Sequence, residues 1–224
     1  MTFHLYSAPL SMFGMKVEIA LREKGVVPDI TMVAFDNARG YTPKHPEVLR
    51  INPKGQVPVL VHDGLELYDS TQIFEYIEDL DLPPPLWPAG IAARARARQL
   101  EHASDEVFFP HIIKLMGQQD DLGGDIAIAA RTAAQAYYGK TEEHLSGDHL
   151  AGDFSYADIA FFMAVLYGER LGAPLIEAET PKLAAWRDRI FARPSVAPVM
   201  RRLIAYLRAN NRFVPPFMAG ERPL

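Results

Sequence analysis

Hydrophobic and polar positions change their rhythm once along this chain, close to residue 82. Before that point short apolar stretches alternate with helical patterns. FHLY (3–6) reads as a strand, MKVEIALREKG (15–25) as a helix and DITMVAF (29–35) as a second strand. A polar loop follows, then two strands within VPVLVHDGLELY (57–68) and a helix over STQIFEYIEDL (70–80). In the first helix Val17, Ala20, Leu21 and Lys24 keep the 3.6-residue period, and Gly25 supplies a stop. Residues 59–62 and 65–68 flank Asp63-Gly64, a pair that tolerates the positive φ of a two-residue hairpin turn. The predicted order is β-α-β, loop, β-β-α.

Prolines crowd into LPPPLWPAG (82–90), and no helix continues through them. Beyond it strand patterns vanish. Helical patterns run on, broken near Gly117, Gly123-Gly124, Ser146-Gly147, 172–174 and Arg193-Pro194. The expected division is an α/β domain over residues 1–82, a proline-rich linker over 83–90 and an all-helical bundle over 91–224. Within the bundle FSYADIAFF (154–162) carries a helix start, with Ser155 as N-cap, Asp158 three residues on and Phe154 placed to staple against Ile159. Its expected role is capping, not chemistry. The apolar run IAFFMAVLYG (159–168) is well short of the ~20 residues that span a bilayer and reads as a buried helix.

Composition narrows the classes further. The chain has 224 residues, 49% of them hydrophobic and 23% charged, which suits an ordinary globular protein with a sizeable core. A formal net charge of -5 lacks the broad basic surface that phosphate neutralisation needs, so nucleic acid is not an expected partner. With no cysteine there is no disulfide frame, no thiolate zinc site and no cysteine nucleophile. The N-terminus MTFHLYSAPLSMFG lacks the basic and long apolar regions of a secretory signal, so the expectation is a cytoplasmic protein with no membrane partner. His102 and His111, and His144 and His149, do not stand at metal-ligand spacings, and no metal is expected.

The chemistry gathers around GQVPVL (55–60), where Pro58 stands directly before an apolar strand. Proline brings no amide hydrogen to a ladder, so it opens a strand, lies at an edge, or, as a cis residue, turns the backbone of Val57 out of the sheet. Asp69 and Ser70 begin a predicted helix, where they cap its amides or help to form an anion site. Ser11 stands in the same way before the first helix, again as a cap or as a group beside a positive helix end.

LYSAPLSMFGMKVEIAL (5–21), INPKGQVPVLVHDGLELYDSTQIFEYIE (51–78) and FSYADIAFF (154–162), in this order and spacing, resemble the cytosolic glutathione transferase family over essentially the full chain. The resemblance implies a thioredoxin-like N-terminal domain followed by a helical one, a homodimer, and glutathione as co-substrate. It implies that Pro58 is cis and that Val57 pairs with the cysteinyl backbone of glutathione. Ser11 matches the hydroxyl that donates to the glutathione sulfur in serine-type members. Tyr6 is the rival for that role, because other classes use a tyrosine near the end of the same strand, and Ser7 is a third hydroxyl nearby. Asp69 and Ser70 match the pair that holds the γ-glutamyl end, although many relatives carry Glu in place of Asp69. Lys44 aligns with a holder of the glycyl carboxylate, with Gln56 assisting, or is a solvated surface lysine. Phe13 borders the electrophile pocket or belongs to the core.

A hydrophobic electrophile is expected between the domains, lined by Met12, Phe13, Phe108, Phe109, His111 and Met116, although such a stripe is more often core. The expected activity is glutathione transfer through an activated thiolate. The alternatives are a specialised glutathione-dependent lyase or etherase, dehalogenase or isomerase, and a non-catalytic interaction protein on the same fold. The proline-rich tail, 214–224, is read either as a cover for the pocket or as a mobile end.

Overall fold

The computed structural model of the chain describes residues 2–35 and 40–220. Strands β1 (Phe3–Ser7), β2 (Asp29–Met32), β3 (Val59–His62) and β4 (Leu65–Tyr68) form one sheet in the order β2-β1-β3-β4. β1 runs parallel to β2 and antiparallel to β3, and β3 runs antiparallel to β4. Helix α1 (Met12–Glu23) makes the crossover that a parallel pair requires, while β3 and β4 close through Asp63 (φ 48°) and Gly64 (φ 85°). Helix α3 (Ser70–Asp79) completes the predicted order.

One element was not predicted. The polar loop contains a short helix, α2 (Pro46–Ile51), with Pro46 in its first turn and His45 as N-cap, where His45 Nδ1 accepts the amide of Glu47 at 3.2 Å. Six residues are too few to display a helical period.

Alternation along β1 separates two faces. Phe3, Leu5 and Ser7 are buried on the side of α1 and α3, where Phe3 stacks on His62 at 3.8 Å and His62 Nδ1 lies 2.6 Å from the Tyr76 hydroxyl on α3. Tyr6 points the other way and packs against a cluster of Ala8, Val33, Val48 and Val59, with the His45 ring 5.0 Å away.

The chain divides into two compact units, Met1–Pro85 with Pro194–Asn210, and Leu86–Arg193 with Asn211–Leu224. This departs from the expected division in two places. The proline-rich stretch is split, because Lys24 Nζ holds the carbonyls of Leu82 (2.8 Å) and Pro84 (3.0 Å), whereas Leu86 and Trp87 are buried in the second unit and Trp87 packs on Tyr156 at 4.8 Å. Helix α9 (Ala197–Ala209), expected in the bundle, belongs to the first unit. Its buried stripe of Val199, Met200, Leu203 and Leu207 supplies the apolar contact, while Arg202 reaches the buried carboxylate of Glu18 and Ser195 donates to Glu23, both on α1.

The second unit is helical. Helix α4 (Ile91–Ala103) runs through a π-helical segment, Ser104–Phe108, into α5 (Phe109–Met116). Pro110 explains the widened turn: it has no amide to give to the carbonyl four residues back and its ring crowds that carbonyl, so the ladder shifts its register there. Helix α6 (Asp125–His144) buries a narrow face of Ala127, Ala130, Ala134 and Tyr138. Helix α7 (Tyr156–Leu171) is buried along all its residues, its apolar run 159–168 among them, and it carries Asp158, Glu169 and Arg170 into the interior as well. Ser155 and Asp158 form the expected capping box. Helices α8 (Pro181–Phe191) and α10 (Pro216–Ala219) follow; residues 221–224 of the tail lie outside the described residues. No helix among the described residues is long and apolar enough to cross a membrane.

Candidate functional site

Sheet register brings three loops to one edge. Tyr6 is the cross-strand partner of Val59, and Val59 is the partner of Tyr68, so these three residues form a row across β1, β3 and β4. The chain leaves β1 just beyond Tyr6, enters β3 just before Val59 and leaves β4 just after Tyr68. Ser11, the Val57-Pro58 pair and the Asp69-Ser70 pair therefore belong to loops at the same end of the sheet. α1 and α3 both start there, so two helix N-termini, each with free amides and a partial positive charge, flank the same edge.

Ser11 is the N-cap of α1 and is 7% exposed. Its backbone N–H donates to the Ala8 carbonyl at 3.0 Å, and its Oγ accepts the Gly14 N–H at 3.0 Å. Packing is tight here. A Cβ on Gly14 would stand 2.1 Å from Ser7 Oγ and 3.2 Å from Ser11 Oγ, so both hydroxyls crowd the same point. Ser7 Oγ is buried without a hydrogen-bond partner. Tyr6, on the opposite face of the sheet, is separated from this group by the pleat.

Val57 and Pro58 are joined by a cis peptide bond. The β1–β3 ladder takes up the chain at Val59, so Val57 stands outside it and is half-buried. Asp69 holds φ 74° and ψ 125°, an unusual conformation for a residue with a side chain, while its Oδ1 accepts the amides of Thr71 (3.1 Å) and Gln72 (3.4 Å) at the start of α3. Strain of this kind costs of order 1–3 kcal/mol and tends to collect at ligand clamps. Ser70, the first residue of α3, is buried. Gln56 is exposed, and the Nζ of Lys44 donates to the carbonyl of Gly55 at 2.5 Å.

The expected lining residues separate. Met12 and Phe13 open α1; Met12 is buried, and Phe13 is half-buried with Lys16 Nζ 5.2 Å from its ring centre. In the second unit Phe108 is fully buried among Tyr137, Tyr138 and Phe161, with ring centres at 5.2, 5.1 and 5.3 Å, which is a core position. Phe109 is buried with its ring centre 6.2 Å from that of Tyr167. His111 is half-buried, and burial together with Lys114 holds its pKa below the ordinary value; Met116 is exposed. Among the described residues no group of three or more His, Asp or Glu is arranged to hold a metal ion.

Sequence reasoning passed over Gly14 and Asn52. Gly14 carries no signal beyond its lack of a side chain in the first turn of a helix. Asn52 precedes a proline and reads as an ordinary turn residue, yet it is buried.

A four-stranded β2-β1-β3-β4 sheet with α1 and α3 on one face defines a thioredoxin-like domain, followed in the chain by an all-helical unit. Residues 5–85 match the family described as Glutathione S-transferase, N-terminal domain, and residues 109–194 match Glutathione S-transferase, C-terminal domain. Glutathione S-transferase U19 of Arabidopsis thaliana is 32% identical over 195 residues, 84% of either chain. The Tau class glutathione S-transferase MiGSTU from mango, Mangifera indica, superposes with a TM-score of 0.78 and 25% identity, over 93% of this chain and 98% of that one. The beta-etherase LigF from Sphingobium sp. strain SYK-6 does so with a TM-score of 0.75 and 27% identity, over 90% and 100%. The chain belongs to the glutathione S-transferase family.

Proposed function

We propose that this protein is a serine-type glutathione transferase, in which Ser11 stabilises the glutathione thiolate for attack on a hydrophobic electrophile. The observation that carries the reading is the placement of Ser11 as the N-cap of α1, with a lone pair engaged by Gly14 and its O–H available to a ligand sulfur. An ordinary thiol ionises near pH 8.5, and a helix N-terminus with a donor lowers that to roughly 3.5–7.5. A tripeptide laid along the loop edge meets Val57 with its cysteinyl backbone and the start of α3 with its γ-glutamyl end. There the carboxylate takes the amides and hydroxyl of Ser70 and the ammonium faces Asp69. The strained backbone of Asp69 fits a clamp of this kind. With the family resemblance as its support, the reading takes the enzyme to be a cytoplasmic homodimer.

Ultraviolet titration of bound glutathione tests the assignment. The expected result is a thiol that ionises at least about one pH unit below the free value in the wild type and not in Ser11→Ala. Bound glutathione that ionises as it does in plain buffer removes the reading. Thiolytic cleavage of an aryl ether by the same thiolate is the second reading, favoured by the likeness to the beta-etherase. Parallel turnover assays with a chloronitroarene and a β-aryl ether separate the two.

A further inference from the structure

Beneath the first turn of α1 lies a hydroxyl that the thiolate reading does not use. Ser7 ends β1 on the face that meets α1, is 0% exposed, and its Oγ has no hydrogen-bond partner among the described residues. The backbone of Ser7 is fixed: it stands opposite Met32 in the β1–β2 ladder, and its carbonyl accepts the Val33 N–H at 2.7 Å. A buried hydroxyl without a partner lowers stability, because water satisfies it in the unfolded chain. Alanine at this position would carry no such cost.

Gly14 decides what the hydroxyl can reach. A Cβ on Gly14 would stand 2.1 Å from Ser7 Oγ, 3.0 Å from Ser7 Cβ and 3.2 Å from Ser11 Oγ, so the two oxygens border one point, and the missing side chain of glycine leaves that point clear. Ser11 Oγ takes the Gly14 N–H at 3.0 Å on one lone pair and keeps a second. An unused donor and an unused acceptor therefore stand beside the same gap.

We infer that Ser7 is a positioning residue for the thiolate site, whose O–H donates to Ser11 Oγ when the Ser11 hydroxyl donates to the sulfur of a bound thiol. Ser11 then accepts from the Gly14 N–H and from Ser7 and gives its own proton to the sulfur contact. A hydroxyl that accepts hydrogen bonds is the stronger donor, by about 10–30% per bond in a chain of this kind. Ser7 acts only through Ser11, since it is fully buried under Gly14 and does not touch the ligand. The inference rests on the Ser11 reading given above.

The test uses the full chain, with ultraviolet titration of bound glutathione and calorimetry with S-methylglutathione, which has no thiol proton to lose. Ser7→Ala is expected to raise the pKa of the bound thiol by about half a unit, and so to lower turnover of a chloronitroarene about threefold at pH values below that pKa. The Kd of S-methylglutathione is expected to stay at the wild-type value, and Tm to stay at or above it. In Ser7→Ala/Ser11→Ala the thiol is expected to ionise as it does in Ser11→Ala alone. A Ser7→Ala penalty of the same size in the Ser11→Ala background shows that Ser7 does not act through Ser11 and overturns the inference. A Tm well below the wild type, or a weakened Kd for S-methylglutathione, shows a merely structural hydroxyl and overturns it too. The two readings fail separately: a thiol shifted by Ser11→Ala and not by Ser7→Ala sinks this inference alone, whereas a thiol that Ser11→Ala does not shift sinks the Ser11 reading and this one with it.

Discussion

The Ser11 hydroxyl accepts the Gly14 amide at 3.0 Å. A hydroxyl has one proton besides its lone pairs, and this contact uses a lone pair, so the cap fixes the oxygen and leaves the donor for a ligand. Ser11→Ala removes both functions. Loss of the cap lowers stability by about 1 kcal/mol. On the proposed thiolate reading, loss of the donor is expected to raise the pKa of the bound thiol by about 1–2 units and to lower turnover of a chloronitroarene at neutral pH by about 10- to 100-fold. Ser11→Thr keeps both to a large extent. Tyr6→Phe, on the other face of the sheet, is expected to retain near wild-type turnover; a Tyr6→Phe variant that loses activity while Ser11→Ala keeps it assigns the chemistry to the phenol.

Gly14 offers a test in which the sign decides. Alanine in place of glycine within a helix ordinarily stabilises by about 1 kcal/mol. Here the added methyl would stand 2.1 Å from Ser7 Oγ, and overpacking of a tight interior costs about 1–3 kcal/mol. Gly14→Ala is expected to lower Tm and to weaken the thiol shift, because the crowded point is also 3.2 Å from Ser11 Oγ. The double variant Ser7→Ala/Gly14→Ala relieves the closest contact and recovers most of the Tm. A single variant that melts above the wild type contradicts this packing.

Asp158 is the polar centre of the helical unit. Its carboxylate accepts the amides of Leu150 (2.9 Å) and Ser155 (3.0 Å) and the indole N–H of Trp186 (2.9 Å), while burial pushes its pKa up. Asp158→Ala leaves these neutral donors without an acceptor and is expected to cost about 3–5 kcal/mol in urea unfolding, since each buried donor left unpaired costs about 1–3 kcal/mol. Asp158→Asn keeps the volume and one oxygen and is expected to lose about 1–3 kcal/mol. Equal losses in the two variants would show that cavity formation, not hydrogen bonding, sets the cost.

Legibility in the sequence follows the range of the interaction. The β3–β4 hairpin and the Ser155–Asp158 cap are written in adjacent residues, and both stand where the sequence puts them. Ser11, Asp69 and Ser70 are legible as helix starts for the same reason, whereas the unusual φ of Asp69 is visible only in three dimensions. α9 shows the limit: its apolar stripe announces one buried face and says nothing of which element it meets, and the partner is α1, where Glu18, 184 residues before Arg202, takes its guanidinium. Phe108 shows another, since helical spacing gives the same signal for a pocket wall and for the core it joins with Tyr137, Tyr138 and Phe161. Asn52 is unremarkable until its burial and its contacts with Lys54 and Gln56 are seen together.

Two buried phenols make the helical unit sensitive to alkali. Burial pushes the Tyr167 pKa up to about 12, an effect that Arg170, 4.7 Å from the ring centre, only partly offsets. Burial raises Tyr138 well above its ordinary value, and Glu169 adds to the rise; the Tyr138 O–H donates to the Ala173 carbonyl at 3.1 Å. A raised folded-state pKa contributes stability that is fully present below the unfolded value, near pH 10, and is lost as the pH climbs towards the folded one. The unfolded chain ionises first, so at pH 11 Tyr167 lowers the unfolding free energy by roughly 1.4 kcal/mol relative to pH 9, and Tyr138 adds a loss in the same direction. Urea unfolding at the two pH values measures the loss, and phenolate absorbance identifies the groups. Tyr167→Phe is expected to remove the Tyr167 share of the decline, because phenylalanine has no proton to release in either state, and to leave the share of Tyr138 and of Tyr137, which burial also raises. A decline of the same size in Tyr167→Phe would place the alkaline sensitivity elsewhere in the chain.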